Sequence, residues 1–228
     1  MAAQLDHLVV MAHTLDEGVQ WCEATLGITP GPGGEHPLMG THNRLFSIAT
    51  PLFQRAYFEI IAINSGATPG RPAGLKRWFD MDDPGLQARV AAQGPQLIHF
   101  VARTPDMHTA IASLARLRLD RGQVLQASRM TPGGLLSWQI TVRADGQRLF
   151  YGGLPTLIQW GKVHPADAMP PSGVTLQSLQ VSHPRPDALR SAQQAMGLTG
   201  VTVNSGLPNL IATLQTPRGP VTLESKGI

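Results

Sequence analysis

The sequence predicts an α+β fold made of repeated βαβββ modules, and three observations carry that prediction. A short apolar run with a polar residue set into it occurs three times: Gln4-Leu5-Asp6-His7-Leu8-Val9-Val10-Met11, Gln96-Leu97-Ile98-His99-Phe100-Val101-Ala102-Arg103 and Leu176-Gln177-Ser178-Leu179-Gln180-Val181-Ser182-His183. Each is followed by a segment of helical periodicity and then by shorter apolar runs that read as strands. The closing run of each copy carries a polar residue, Glu59, Gln159 or Glu224, at a comparable distance from His7, His99 or Ser178. Repetition on that scale marks a repeated structural unit.

The elements follow in order. After the first strand, Thr14 is placed to cap a helix, with Glu17 three residues on as its capping-box partner, and Gly27 stops it. A glycine-rich turn, Gly31-Pro32-Gly33-Gly34, leads to Glu35-His36-Pro37 and to a strand over 40–48, and 56–63 closes the module as an apolar run interrupted by Glu59. A carboxylate there is either on an exposed side of the strand or buried with a partner. The second module runs from the strand at 97–102 through a helix over about 106–119 to strands at 124–130, 135–142 and 154–160, with Gln159 late in the last. The third has a strand at 176–181, a helix over about 186–196 and three short strands ending at Glu224. The modules thus cover about 4–63, 95–161 and 174–226 of a chain read as one unit over 1–228. Residues 64–94, a Gly/Pro-rich loop over 64–74 followed by short helical connections at 75–79 and 84–93, and the proline-rich 162–173 read as linkers.

Composition narrows the function. The chain has 228 residues, 42% hydrophobic and 14% charged, which suits a globular core rather than disorder. The net charge of +3 is spread over single Arg and Lys residues with no basic block, so nucleic acid is not an expected partner. No apolar run reaches the ~18 residues of a membrane span, and the first residues carry no signal-peptide pattern; the expectation is a cytoplasmic protein with no membrane partner. One cysteine, Cys22, rules out an internal disulfide, and on a helix face it reads as a small buried hydrophobe. The glycine-rich turn lacks the Lys-Ser/Thr of a phosphate loop, and there is no Gly-x-Ser-x-Gly elbow.

The stretches Leu5-Asp6-His7-Leu8-Val9, Gly40-Thr41-His42-Asn43-Arg44-Leu45, Tyr57-Phe58-Glu59-Ile60-Ile61 and Leu154-Pro155-Thr156-Leu157-Ile158-Gln159-Trp160 resemble the glyoxalase-like branch of the vicinal oxygen chelate superfamily, which also includes bleomycin-resistance proteins and extradiol dioxygenases. The resemblance implies paired βαβββ modules forming a curved mixed sheet around a cavity. It further implies a metal held from the first and last strands of two modules, which places the ligands at His7, Glu59, His99 and Gln159. Two imidazoles, a carboxylate and an amide oxygen suit a divalent Zn, Ni, Mn or Fe ion without choosing among them. The set departs from the family pattern at Gln159, where a second carboxylate is usual. Pairing modules one and three instead would offer His7, Glu59, Ser178 and Glu224, with a single histidine.

Two functions are then expected. The first is a metal-dependent enzyme of isomerase, lyase or dioxygenase type acting on a small oxygen-rich substrate, with Glu59 as catalytic residue and His36, His42 and Arg44 binding substrate. For the last three the competing reading is a β-turn at Gly40 and a surface Arg. The second is a non-catalytic protein that sequesters a small ligand between Trp138, Trp160, Phe58 and Phe100. A homodimer stays open, since dimers are common in the superfamily.

Overall fold

The computed structural model of the chain describes residues 2–131 and 134–228. The first module opens with β1 (Gln4–Met11), buried along its length after Gln4. Thr14 then caps α1 (Leu15–Leu26), its Oγ1 accepting from the Glu17 amide at 3.2 Å, and Gly27 ends the helix in the left-handed region at φ 75°. Leu15, Gly18, Cys22 and Leu26 form the buried face of α1. The module is completed by β2 (Glu35–His36), β3 (Thr41–Ser47) and β4 (Tyr57–Ile63). Between modules lies α2 (Pro84–Gln93), capped by Asp83. The second copy is β5 (Gln96–Arg103), α3 (Met107–Arg116), β6 (Gln123–Thr131), β7 (Gly134–Val142) and β8 (Thr156–Trp160). The third is β9 (Thr175–His183), α4 (Pro186–Met196), β10 (Val201–Ser205), β11 (Asn209–Thr216) and β12 (Gly219–Glu224). The succession β-α-β-β-β therefore occurs three times, as the periodicity predicts.

Modules one and two share one curled eight-stranded sheet of order β2-β3-β4-β1-β5-β8-β7-β6. β1 and β5 meet antiparallel at its centre, and each pairs in parallel with the last strand of its own module, β4 or β8. The fold is a mixed α/β architecture with the curved sheet the resemblance implies. The third module is wired differently. Its own four-stranded sheet has the order β10-β9-β11-β12, so its opening strand pairs in parallel with the first strand after the helix, not with the last. Sequence pattern specifies which segments are strands but not which neighbour each one takes, and the third copy exploits that freedom.

The curled sheet has an apolar cluster on each face. On one side α1, α3, α4 and the third module's sheet pack around Leu8, Phe58, Phe100 and Leu176. On the other, the segment read as a linker supplies Trp78, Phe79, Met81 and the α2 residues Leu86 and Val90 against Val9, Ile61 and Ile158. Residues 64–94 are thus a wall of the inner face. No described helix is long and apolar enough to cross a membrane.

Candidate active site

The site lies on the inner face, where β1 pairs with β4 in a register that sets Val9 beside Glu59 and His7 beside Tyr57. Strict alternation would send Asp6 and His7 to opposite faces. Instead the β1–β5 register shifts between Leu5 and His7, a bulge at Asp6. Both side chains consequently serve one cluster. Asp6 is fully buried; its Oδ1 stands 2.7 Å from His7 Nδ1, and its Oδ2 accepts from Trp160 Nε1 at 2.9 Å and lies 3.0 Å from His164 Nε2. His7 Nε2 faces Glu59 Oε2 at 3.5 Å. The other Glu59 oxygen accepts from Asn43 Nδ2 at 2.6 Å. Asn43 is itself oriented by the Gly34 amide, which donates to its Oδ1 at 2.8 Å, and His36 Nε2 lies 3.4 Å from its amide nitrogen. Tyr57 stacks on the His7 ring with centroids 4.5 Å apart.

Burial alone would discharge these groups; the neighbours decide otherwise. Desolvation pushes the His7 pKa down, but hydrogen bonds to Asp6 and Glu59 and their charges outweigh it and raise it to about 9. Desolvation likewise pushes Glu59 up, yet His7 and Asn43 hold its carboxyl below the usual range. Asp6 is held well below that range by His164 and His7 against the same burial penalty. His36, which has no carboxylate in contact, is driven down by burial to about 4 and is neutral at pH 7. Near neutrality the chain therefore holds two buried carboxylates with an imidazolium between them.

Two adjoining spaces lie beside this cluster. An inner chamber of about 40 Å³ is lined by His7, Glu59, Asn43, Tyr57 and Trp160 among others. That volume exceeds the ~10–15 Å³ a single water occupies on this measure but admits only the tip of a substrate. An outer cleft of about 660 Å³ lies between the Gly33-Gly34 turn and β6–β7. His36, Trp78, Arg129, Trp138 and Ile140 line both.

The structure brings some of the expected residues together and separates others. His7, Glu59 and His36 converge. His99 lies on β5 beside Val9, but both its nitrogens are engaged: Nδ1 sits 3.0 Å from the Gly152 carbonyl oxygen, and Nε2 accepts from the Thr156 amide at 3.1 Å. Burial, with Arg121 and Arg148 nearby, pushes its pKa well down. Gln159 turns to the helical side, where its Oε1 accepts from the Met107 amide at 2.7 Å and caps the start of α3. The implied ligand set His7, Glu59, His99 and Gln159 therefore does not converge and does not fit a bound ion as this chain folds. Among the described residues no group of three or more His, Cys, Asp or Glu side chains could hold one. Ser178 and Glu224 belong to the separate sheet.

On β3, Asn43 and Leu45 face the chamber, so His42 and Arg44 face away. His42 lines a different cleft with His13 and Asp16, and Arg44 makes no hydrogen bond or ion pair among the described residues. Gly40 takes the left-handed conformation, φ 60°, that a turn requires. Trp138 and Trp160 line the chamber, whereas Phe58 and Phe100 belong to the opposite cluster. Sequence reasoning missed Asp6, Asn43, Trp78, Arg129 and His164. His164 falls in a stretch read as linker yet is 3% exposed and bonded to Asp6. The one signal available was a carboxylate immediately before a strand histidine.

The chain matches the model of the glyoxalase-like domain over residues 5–197. No curated protein matches it. Among solved structures it is similar to a hypothetical protein from Staphylococcus aureus, at 14% identity over 91% of this chain and 88% of that one, with a TM-score of 0.60. It is also similar to a methylmalonyl-CoA epimerase in complex with methylmalonyl-CoA and NH4+, at 17% identity over 72% of this chain and 99% of that one, TM-score 0.44. A methylmalonyl-CoA epimerase from Mycobacterium tuberculosis matches at 14% identity over 68% and 85%, TM-score 0.37. With two βαβββ modules in one curled sheet and the domain match spanning both, the chain belongs to the glyoxalase-like family of the vicinal oxygen chelate superfamily.

Proposed function

We propose that the chain is an enzyme that moves a proton on a small carbonyl-bearing molecule, as isomerases and lyases do, with Glu59 as the base. The observation that carries this reading is the Asp6–His7–Glu59 row: a buried carboxylate, one oxygen held by Asn43 and the other against an imidazolium, at the wall of a small chamber. Glu59 takes the proton from the carbon next to the carbonyl, and the C–H electron pair moves into an enolate. The enolate oxygen accepts a hydrogen bond from His7 Nε2. Return of the proton to that carbon or to a neighbour completes an isomerisation; departure of a leaving group from the next carbon completes an elimination. A carboxylate held below its usual range is a weak base, so the driving force comes from the fixed charge of His7 acting on the enolate in a site screened from water. Asp6 is a positioning residue that keeps His7 oriented and protonated.

The test is deuterium exchange. In D2O, a panel of 2-oxo and 3-oxo acids and their esters is followed by proton NMR with wild-type protein and with Glu59→Gln. Exchange next to the carbonyl in at least one member is expected, with a loss of ~10²–10⁴-fold in the variant. A variant that keeps more than a tenth of the rate puts the base elsewhere. The three tryptophans Trp78, Trp138 and Trp160 around the chamber favour a second reading, sequestration of an aromatic ligand. Saturable binding with no exchange across the whole panel decides for it.

A further inference from the structure

The wall between the inner chamber and the outer cleft holds nitrogen donors with nothing to donate to among the described residues. Arg129 projects from β6, and its Nε and Nη1 are buried without a hydrogen-bond partner among those residues. Trp78, 6% exposed, also lines both spaces, and its indole Nε1 is buried and unpartnered. Buried donors are almost always satisfied, because an unpaired one keeps its full desolvation cost, which is larger for a charged group. Two other buried or half-buried arginines are provided for, and Arg71, whose Nε is also unpartnered, donates through Nη1 to Met39 Sδ at 3.8 Å and lines neither space. Arg148 donates to Asp80 at 2.9 Å and to the Ile98 carbonyl oxygen, and Arg77 pairs with Asp82. Arg121 has free nitrogens too, but it donates to Thr156 Oγ1 and lines neither space.

The neighbouring turn is shaped around Arg129. A methyl group on Gly34 would coincide with Arg129 Nη1, so the guanidinium occupies the place of the missing side chain. Gly33 is equally constrained, because a methyl there would collide with the Asn43 carbonyl oxygen. The glycines that fail as a phosphate loop are accounted for by this close approach. Arg129 is the single Arg or Lys among the described residues lining either space, while Glu35 and Glu59 also line them. With the His7 imidazolium, two cations face two carboxylates, so the spaces carry no net positive charge for a dianion such as a phosphate monoester and suit a ligand of one negative charge.

We infer that Arg129, with Trp78 beside it, binds the carboxylate of a small organic acid whose apolar body lies along Trp138 and Ile140 in the outer cleft. This deepens the proton-transfer reading and rests on it only for which end of the acid enters the inner chamber.

Isothermal titration with 3-phenylpropanoate, 3-phenylpropanamide and 2-phenylethylphosphonate tests the assignment on the wild-type chain. A preference for the acid over the amide of at least ~10-fold is expected, since a hydrogen bond to a charged group contributes about 1.5–3 kcal/mol and each 1.4 kcal/mol is tenfold. Arg129→Met removes that preference. Gly34→Ala removes it as well, by displacing the guanidinium while keeping its charge. Equal affinity for acid and amide, binding of neither, tighter binding of the phosphonate, or a preference that survives in both Arg129→Met and Gly34→Ala overturns the assignment. The two proposals fail separately. Acid preference without deuterium exchange ends the proton-transfer reading and keeps the Arg129 site, whereas exchange of oxo esters without acid preference does the reverse.

Discussion

β1 and β5 lie side by side at the centre of the curled sheet, open equivalent modules, and each carries a buried histidine. Their chemistry is opposite. His7 follows Asp6, which a bulge turns onto the same face, and the pair with Glu59 makes the ring a cation up to about pH 9. His99 follows Ile98, meets backbone groups, Thr156 and the Phe79 and Phe100 rings, and is held neutral by burial and by Arg121 and Arg148. A repeated unit conserves a position in space, and the residue before that position decides whether it becomes a charged site or a brace. Module symmetry in the sequence is therefore good grounds for the fold and poor grounds for a ligand set.

The largest effect expected to sharpen this contrast is at Glu59. Glu59→Gln keeps the volume and the Asn43 contact but takes one charge from the buried network, so the urea midpoint falls while exchange drops by ~10²–10⁴-fold. A comparable fall in His99→Gln would break the contrast outright. Next comes Asp6→Ala, which leaves His7, His164 and the Trp160 indole without their shared partner. Removing one member of a buried charged network costs about 3–5 kcal/mol, read as a lowered urea midpoint. His99→Gln is expected to cost about 1–3 kcal/mol through lost hydrogen bonds, with the exchange rate unchanged.

The fold was legible because periodicity, the Thr14 cap and the stop at Gly27 are local, and local signals agreed with the final structure. The pairing partner of Glu59 was half legible: a carboxylate in an apolar strand demands a partner, but nothing local names Asn43, sixteen positions away. What stayed hidden depends on long-range geometry. The bulge that turns Asp6 inward has no local sequence marker, and the strand order of the third module reverses a pairing that its sequence resembles. Trp78 falls in a stretch read as a short helical connection and His164 in a proline-rich linker, although both pack against the site. Arg129 sits in a strand whose alternating polar residues look like a solvated edge, and only the tertiary fold closes the Gly34 turn over it.

The smallest effect expected is in pH dependence, and it separates the two histidines without any substrate. The His7 pKa is raised in the folded chain, from an ordinary 6.5 to about 9. Its contribution to stability is thus fully present below about pH 6.5, where folded and unfolded states are both protonated, and is lost as pH rises through 9. His99 is shifted the other way, so its contribution is complete above about pH 6.5 and declines as pH falls below it. His36, driven down to about 4, behaves like His99 and overlays the raw profile. The difference between wild type and His7→Gln removes that overlay. Urea unfolding at pH 6, 7.5 and 9 is expected to show wild type and His7→Gln converging as pH rises, while the separation of wild type and His99→Gln widens from pH 6 to 7.5 and then stays constant to pH 9. The exchange rate, which needs the His7 cation, is expected to fall on the alkaline side near pH 9. A stability difference at His7 that stays flat from pH 6 to 9 would mean that the ring is not charged in the folded chain, and the contrast between the two strands would then reduce to hydrogen bonding alone.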